Sequence, residues 1–149
     1  MKIGLICSPG GHFYEMARLK SAWQGHDSFW VTIQSIDTDS LLAHERVYYA
    51  HAPTTRNLIN LIKNLFLAAG IMRKENPDVI ISTGGPICIP FFFFSRLFRI
   101  KCIYIESLTR CNNLSWTGKL VYPVASIFLV QWAELVERYK KAQYKGRLL

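Results

Sequence analysis

The chain has 149 residues, the size of one domain and too short for a self-contained two-domain enzyme. Half of its residues are hydrophobic and 19% are charged, which excludes a disordered chain and supplies material for a packed core. The 18 Lys and Arg against 10 Asp and Glu leave a net charge of +8, which points to an anionic partner: nucleic acid, a lipid surface or a phosphorylated substrate.

Short apolar runs alternate with helical patterns along the chain, the signature of parallel βαβ units. Strands are expected at 2–7, 28–33, 46–50, 78–82, 101–105 and 126–131, and helices at 11–23, 55–75, 86–98, 116–124 and 133–144. Asn76-Pro77 closes the long second helix, because a residue before proline avoids the α region, and Pro123 limits the fourth in the same way. The fold class is α/β, an open doubly wound, Rossmann-like parallel sheet, and residues 1–149 read as one domain without repeats or linkers.

Residues 1–95 carry 8 basic and 7 acidic side chains, whereas residues 96–149 carry 10 and 3. The basic surplus therefore belongs to the last third, where it is either a solvated face or a surface for anions. Cys7, Cys88, Cys102 and Cys111 form no CxxC pair and have no His at ligand spacing, so no metal site is expected. The apolar run at 3–7 is too short for a secretory signal, and Gly84, Gly85, Pro86 and Pro90 interrupt the uncharged stretch 79–95.

In a doubly wound sheet the loops after the strands share one edge, where ligands bind. After strand one, Ser8-Pro9-Gly10-Gly11-His12 allows a tight turn into a helix N-terminus, either a structural turn or a phosphate cradle. It is neither GxGxxG nor Walker A. His12 is either a helix-start residue or a group that accepts a substrate proton. After strand four, Thr83-Gly84-Gly85 leads into a helix starting near Pro86, so one anion could sit between two helix N-termini. After strand five, Glu106 and Ser107 could bind sugar hydroxyls, or Glu106 could cap or pair; Arg110 could meet a phosphate or Glu106. His26, His44 and His51 have no such context.

Phe91, Phe92, Phe93 and Phe94 are consecutive, and at about 100° per residue one sheet face cannot bury them all. They are either shared with a neighbouring helix or, with Arg96, Phe98 and Arg99, form an interfacial membrane patch. Ile59, Phe66 and Leu67 likewise widen the apolar stripe of the helix at 55–75, which also carries Lys63, Arg73 and Lys74.

The motifs SPGGH (8–12), PDVIISTG (77–84), IYIES (103–107), TGKLVYPVAS (117–126) and FLVQW (128–132) together resemble the acceptor-side subunits of split GT-B glycosyltransferases, the PssD-like and asparagine-linked-glycosylation group. The order of the loops is also similar to the N-terminal half of the peptidoglycan lipid-linked N-acetylglucosaminyltransferase. The resemblance implies the N-terminal half of a GT-B fold that binds a lipid-diphosphate-linked sugar. It implies a heterodimer whose separate partner holds the UDP-sugar, so no cofactor is expected on this chain, and the chain alone would be inactive. It also implies a peripheral place on the cytoplasmic membrane face, with capsule or exopolysaccharide assembly as the setting. By the motif, Gly10, Gly11, Gly84 and Gly85 would frame the diphosphate with Ser8 and Thr83 beside them, His12 would be the base or orienting group, and Glu106, Ser107 and Arg110 would lie near the sugars. Gln131 and Trp132 would begin the surface that docks the partner. Eukaryotic members begin with a membrane anchor, whereas strand one here starts at Lys2, so attachment would rest on the phenylalanine and basic surfaces or on the partner.

Two other readings stand beside this one. A stand-alone nucleotide-binding Rossmann protein without transferase activity would need an acidic ribose ligand about 20 residues past the glycines, and Asp37 and Asp39 lie beyond strand two. A nucleic-acid module would use Arg138, Lys140, Lys141, Lys145 and Arg147, with only Tyr139 and Tyr144 interleaved.

Overall fold

The computed structural model describes residues 1–54 and 57–148; Thr55 and Arg56, where the second expected helix begins, and Leu149 lie outside the described residues. The strands are β1 (Lys2–Cys7), β2 (Asp27–Thr32), β3 (Val47–Tyr49), β4 (Val79–Gly84), β5 (Lys101–Ile105), β6 (Ile127–Val130) and β7 (Ala142–Tyr144). The helices are α1 (Gly11–Arg18), α2 (Lys20–Trp23), α3 (Ile36–Leu41), α4 (Leu58–Glu75), α5 (Cys88–Phe98), α6 (Trp116–Val121) and α7 (Glu134–Arg138). The strands form one parallel sheet in the order β3-β2-β1-β4-β5-β6-β7. The order reverses between β1 and β4, so the crevice at the ends of those two strands is where such a sheet opens for a ligand.

One face of the sheet buries Phe29, Ala68, Met72, Phe91, Phe92, Tyr104 and Phe128, and the other buries Leu5, Phe13, Met16, Trp23 and Trp30. The four phenylalanines divide as helical geometry requires. Phe91 and Phe92 are buried, and Phe92 meets Tyr104 edge to face at 5.8 Å. Phe94 is half-buried against Phe98, with the ring centroids 6.1 Å apart, and Phe93 is 50% exposed. The expected membrane patch is thereby corrected: Phe91 and Phe92 belong to the core, and the outward residues of α5 are Phe93, Arg96 and Leu97.

Three elements differ from expectation. The helix expected at 11–23 breaks at Leu19 into α1 and α2. The helix expected at 133–144 is the short α7 followed by β7, because Ala142–Tyr144 pairs with Phe128–Val130 and completes the sheet edge. The connection between β2 and β3 holds α3, which a capping box starts: Ser35 N–H donates to Thr38 Oγ1 at 2.9 Å, and Thr38 N–H donates to Ser35 Oγ at 3.3 Å.

At the edge opposite the crevice, Glu75 is 4% exposed. It accepts from Lys2 Nζ at 3.2 Å, Arg46 NH1 at 2.9 Å and Tyr48 OH. Burial pushes its carboxyl up, but Tyr48, Lys2 and Arg46 outweigh burial and hold it below the ordinary range. Glu75→Ala removes the shared acceptor of Tyr48, Lys2 and Arg46, of which the last two keep Asp27 as a partner, and is expected to cost about 1–3 kcal/mol in urea unfolding, the range for hydrogen bonds to a charged group. Because the folded pKa is depressed, the wild-type advantage is full above the unfolded value of about 4.3 and drains as pH falls through the folded value.

Candidate functional site

The loops after β1 and β4 interlock at the crevice. Gly10 (φ 78°) turns the chain into α1 as its N-cap, and no side chain caps that helix or α5. Both helices begin at the same edge with no acidic residue in the first turn; α1 presents its first-turn N–H groups there, whereas in α5 Cys88 N–H donates to Gly85 O and Ile89 N–H to Pro86 O, both at 3.2 Å, and Pro90 has no N–H. Ser8 N–H donates to Gly84 O at 3.2 Å, and Thr83 Oγ1 donates to His12 O at 2.6 Å.

Gly84 (φ 126°) and Gly85 (φ 96°) adopt conformations that L side chains rarely take, and both are packed against the other loop. A Cβ on Gly84 would lie 2.6 Å from His12 Cε1, and one on Gly85 would overlap the Ser8 side chain. The imidazole of His12 thus rests on the bare backbone of Gly84.

Gly11, His12, Gly85, Ser107, Arg110 and Trp116 border a cleft of about 350 Å³ at this edge, together with Pro86, Thr109, Ser115 and Thr117. A larger hollow of about 420 Å³, lined by Ser95, Arg96, Arg99, Lys101 and Ser126 among others, lies at the opposite end of β5 and is not part of this constellation.

The structure brings His12, Gly11, Gly85, Ser107 and Arg110 together, with Ser8, Gly10, Thr83 and Gly84 forming the loops behind them. Glu106 is different. It is fully buried, and its carboxylate accepts from Ser107 N–H at 3.0 Å, Ser115 N–H at 2.9 Å and Ser115 Oγ at 3.1 Å. Burial pushes its carboxyl up against the pull of these donors and of Arg110. Gly118, where a Cβ would overlap the carboxylate, covers it from α6. Glu106 therefore ties the loop after β5 to the start of α6 rather than facing sugars in the cleft.

Gln131 is corrected likewise. It is 2% exposed, donates to Glu15 Oε1 at 3.3 Å and Glu106 O at 3.1 Å, and accepts from Leu148 N–H at 2.7 Å. It is an internal brace, not a docking surface. Trp132 is half-buried, donates to Leu108 O at 2.7 Å and lies 4.0 Å beneath the Arg147 guanidinium. Burial raises the Cys7 thiol and pushes Cys88 up to about 12, so neither is a poised nucleophile. Among the described residues no group of three His, Cys, Asp or Glu side chains could hold a metal ion.

Two residues at the site escaped the sequence reading. Glu15 lies one turn after His12, and its Oε1 accepts from Leu108 N–H at 2.8 Å and Ser107 Oγ at 3.3 Å as well as from Gln131. The spacing H-x-x-E on a helix was its signal. Trp116 is 81% exposed at the cleft with Lys119 Nζ 5.3 Å from its ring; sequence places it at a helix start but carries no sign of its exposure.

The family description "Oligosaccharide biosynthesis protein Alg14 like" matches residues 41–148. The UDP-N-acetylglucosamine transferase subunit ALG14 of Candida albicans is 35% identical over 171 residues, covering 99% of this chain and 78% of that protein. The human protein of the same name is 24% identical over 127 residues, covering 76% of this chain and 59% of that one. Among solved structures, Acinetobacter baumannii MurG superposes with a TM-score of 0.72 at 18% identity over 88% of this chain. The UDP-N-acetylglucosamine 2-epimerase of Rickettsia bellii does so with 0.76 at 12% identity over 99%. The chain spans 42% and 45% of those two solved chains, and at such identities the likeness is one of fold, a Rossmann-like α/β architecture.

Proposed function

The chain belongs to the Alg14-like family of oligosaccharide biosynthesis proteins, and from that premise we propose that it is the acceptor-binding, membrane-recruiting half of a two-component UDP-N-acetylglucosamine transferase. A separate subunit holds the nucleotide sugar, and the pair extends a lipid-diphosphate-linked saccharide. The observation that carries this reading is the uncapped N-terminus of α1 with the Gly84-Gly85 loop facing it, beside His12 at the β1/β4 crevice. That edge offers an anion site and a proton acceptor, and the cleft beside it, of about 350 Å³, has room for a sugar.

In this reading the α1 N-terminus and the two glycine loops hold the acceptor diphosphate, over Gly10, Gly11, Gly84 and Gly85. His12 receives the proton of the acceptor hydroxyl as that oxygen bonds to the anomeric carbon and UDP leaves with the bonding pair. Arg110 and Ser107 contact the acceptor, and Trp116 offers a flat apolar surface to a sugar face. Trp116→Ala is expected to raise the acceptor KM about 5- to 10-fold with kcat little changed, as measured in the assembled complex.

The proteins named among the relatives are transferase subunits, so the setting proposed is lipid-linked oligosaccharide synthesis; the capsule or exopolysaccharide setting gains no support from them. No helix among the described residues is long and apolar enough to cross a membrane. Peripheral attachment at the cytoplasmic face would use Phe93 and Leu97 with Arg96 and Arg99, and the exposed Leu58, Ile59, Ile62 and Phe66 of α4. The test is reconstitution. The purified chain should give no sugar transfer from UDP-N-acetylglucosamine to a prenyl-diphosphate-linked saccharide, and adding the donor-binding subunit should restore it. Turnover by the chain alone would end the split-enzyme reading.

A further inference from the structure

We propose that Glu15 is the positioning residue of His12, holding its proton on Nδ1 so that the Nε2 lone pair faces the cleft. This rests on the reading of His12 as the proton acceptor and assigns the residue that orients it. Both residues lie on α1, one turn apart, and Glu15 Oε2 stands 3.7 Å from His12 Nδ1. Each of these two atoms is buried without a hydrogen-bond partner. A buried, unpartnered acceptor facing a buried, unpartnered ring nitrogen is a costly arrangement unless a proton is shared between them. A gap of this length is usual before substrate is bound and closes in the working complex.

The other carboxylate oxygen explains why Oε2 points where it does. Oε1 accepts from Leu108 N–H, Ser107 Oγ and Gln131 Nε2, three donors from the loop after β5 and the end of β6. Gln131 is itself fixed by Glu106 O and Leu148 N–H. These bonds leave the carboxylate little freedom to rotate and aim Oε2 at the imidazole. Burial pushes Glu15 up, but His12, Leu108 and Ser107 outweigh it and hold the carboxyl below its ordinary range, so it faces the ring as an anion.

The other charged groups at this edge come from the loop after β5: Arg110 lines the cleft with His12, and Glu106 is buried against Ser107 and Ser115. The β4 loop contributes only Thr83, Gly84 and Gly85. Glu15 is therefore the acid set against Nδ1. When Nε2 takes the acceptor proton and the sugar–UDP bond breaks, the ring becomes an imidazolium whose Nδ1–H donates to Glu15. The proton returns to solvent from Nε2 after the product leaves, and Glu15 is never protonated.

The first test is the tautomer itself, read from long-range ¹H–¹⁵N correlations of the full chain labelled at histidine. His12 is expected to carry its neutral-state proton on Nδ1, and Glu15→Gln is expected to shift it toward Nε2. A wild-type His12 protonated on Nε2, or an unchanged tautomer in Glu15→Gln, overturns the proposal, and neither result depends on catalysis. The second test is transfer by the assembled complex. Glu15→Gln should lower kcat by about 10- to 100-fold with the acceptor KM nearly unchanged, and Glu15→Asp should recover part of the loss. Equal rates for wild type and Glu15→Gln would also overturn it. If His12→Gln keeps full activity while the tautomer responds to Glu15, the base reading fails and the positioning contact stands.

Discussion

His12→Gln is expected to lower kcat of the assembled transferase by about 10² to 10⁴, the usual contribution of a positioned acid–base group, with little effect on stability. The imidazole leans on Gly84 and its Nδ1 has no hydrogen-bond partner, while the bond that joins the two loops uses the His12 carbonyl, which every residue retains. Its nearest charged partner, Glu15 Oε2, stands 3.7 Å from Nδ1, beyond hydrogen-bond distance, so the change breaks no hydrogen bond of the fold and should shift stability by about 1 kcal/mol or less. Initial rates over a range of acceptor concentrations, set beside thermal melting, separate the two quantities. A rate within threefold of wild type would make His12 a helix-start residue only.

Gly84→Ala is expected to damage both quantities. The residue sits at φ 126°, where a Cβ costs about 1–3 kcal/mol in backbone strain. That Cβ would also stand 2.6 Å from His12 Cε1 and 2.8 Å from Nδ1, so the imidazole must leave its place. Melting should fall by about 2–4 °C for each kcal/mol lost in a chain of this size, and kcat should drop about as far as in His12→Gln. Gly25→Ala is the control. It has a positive φ of 83° and lies away from the site, between α2 and β2, where its Cβ would point into open space, so strain should appear in the melting temperature without the same loss of kcat. Equal loss of activity in both variants would show that backbone strain, not displacement of His12, is responsible.

The sheet was legible wherever its strands are buried on both faces. The run at 2–7 gives β1 without adjustment, and those at 78–82 and 101–105 give β4 and β5 to within two residues. Parallel strands covered by helices need continuous apolar sequence, so the composition betrays them. β7 was not legible, because Ala142-Gln143-Tyr144 is an edge strand of three residues with one buried side chain, inside a basic stretch that reads as helix. α3 starts at a Ser35 cap whose partner is Thr38 rather than the Glu or Gln that marks a capping box in sequence, and its six residues have almost no buried face, so no periodicity drew attention to it.

At the site, the glycine loops and His12 were readable because tight turns before helices demand particular residues. The roles of the polar residues were not, since they depend on which strand end lies beside which. Sequence left Glu106 between a sugar-binding role and a capping or pairing one, and set Gln131 on a docking surface, yet β4 and β6 flank β5 and the C-terminal segment folds over it, closing both inside. Glu15 looks like a solvated helix residue until the loop after β5 supplies its donors. The phenylalanine run was legible in outline only: helical geometry requires that at least one ring face outward, but the structure alone identifies it as Phe93.

The most direct measurement is calorimetric titration of the full chain, without its partner, with a short-chain prenyl-diphosphate-linked saccharide and, separately, with UDP-N-acetylglucosamine. The acceptor-half account predicts saturable binding of the first, weakened by inorganic diphosphate and by Gly84→Ala, and no binding of the second. Saturable binding of UDP-N-acetylglucosamine with none of the acceptor would contradict it.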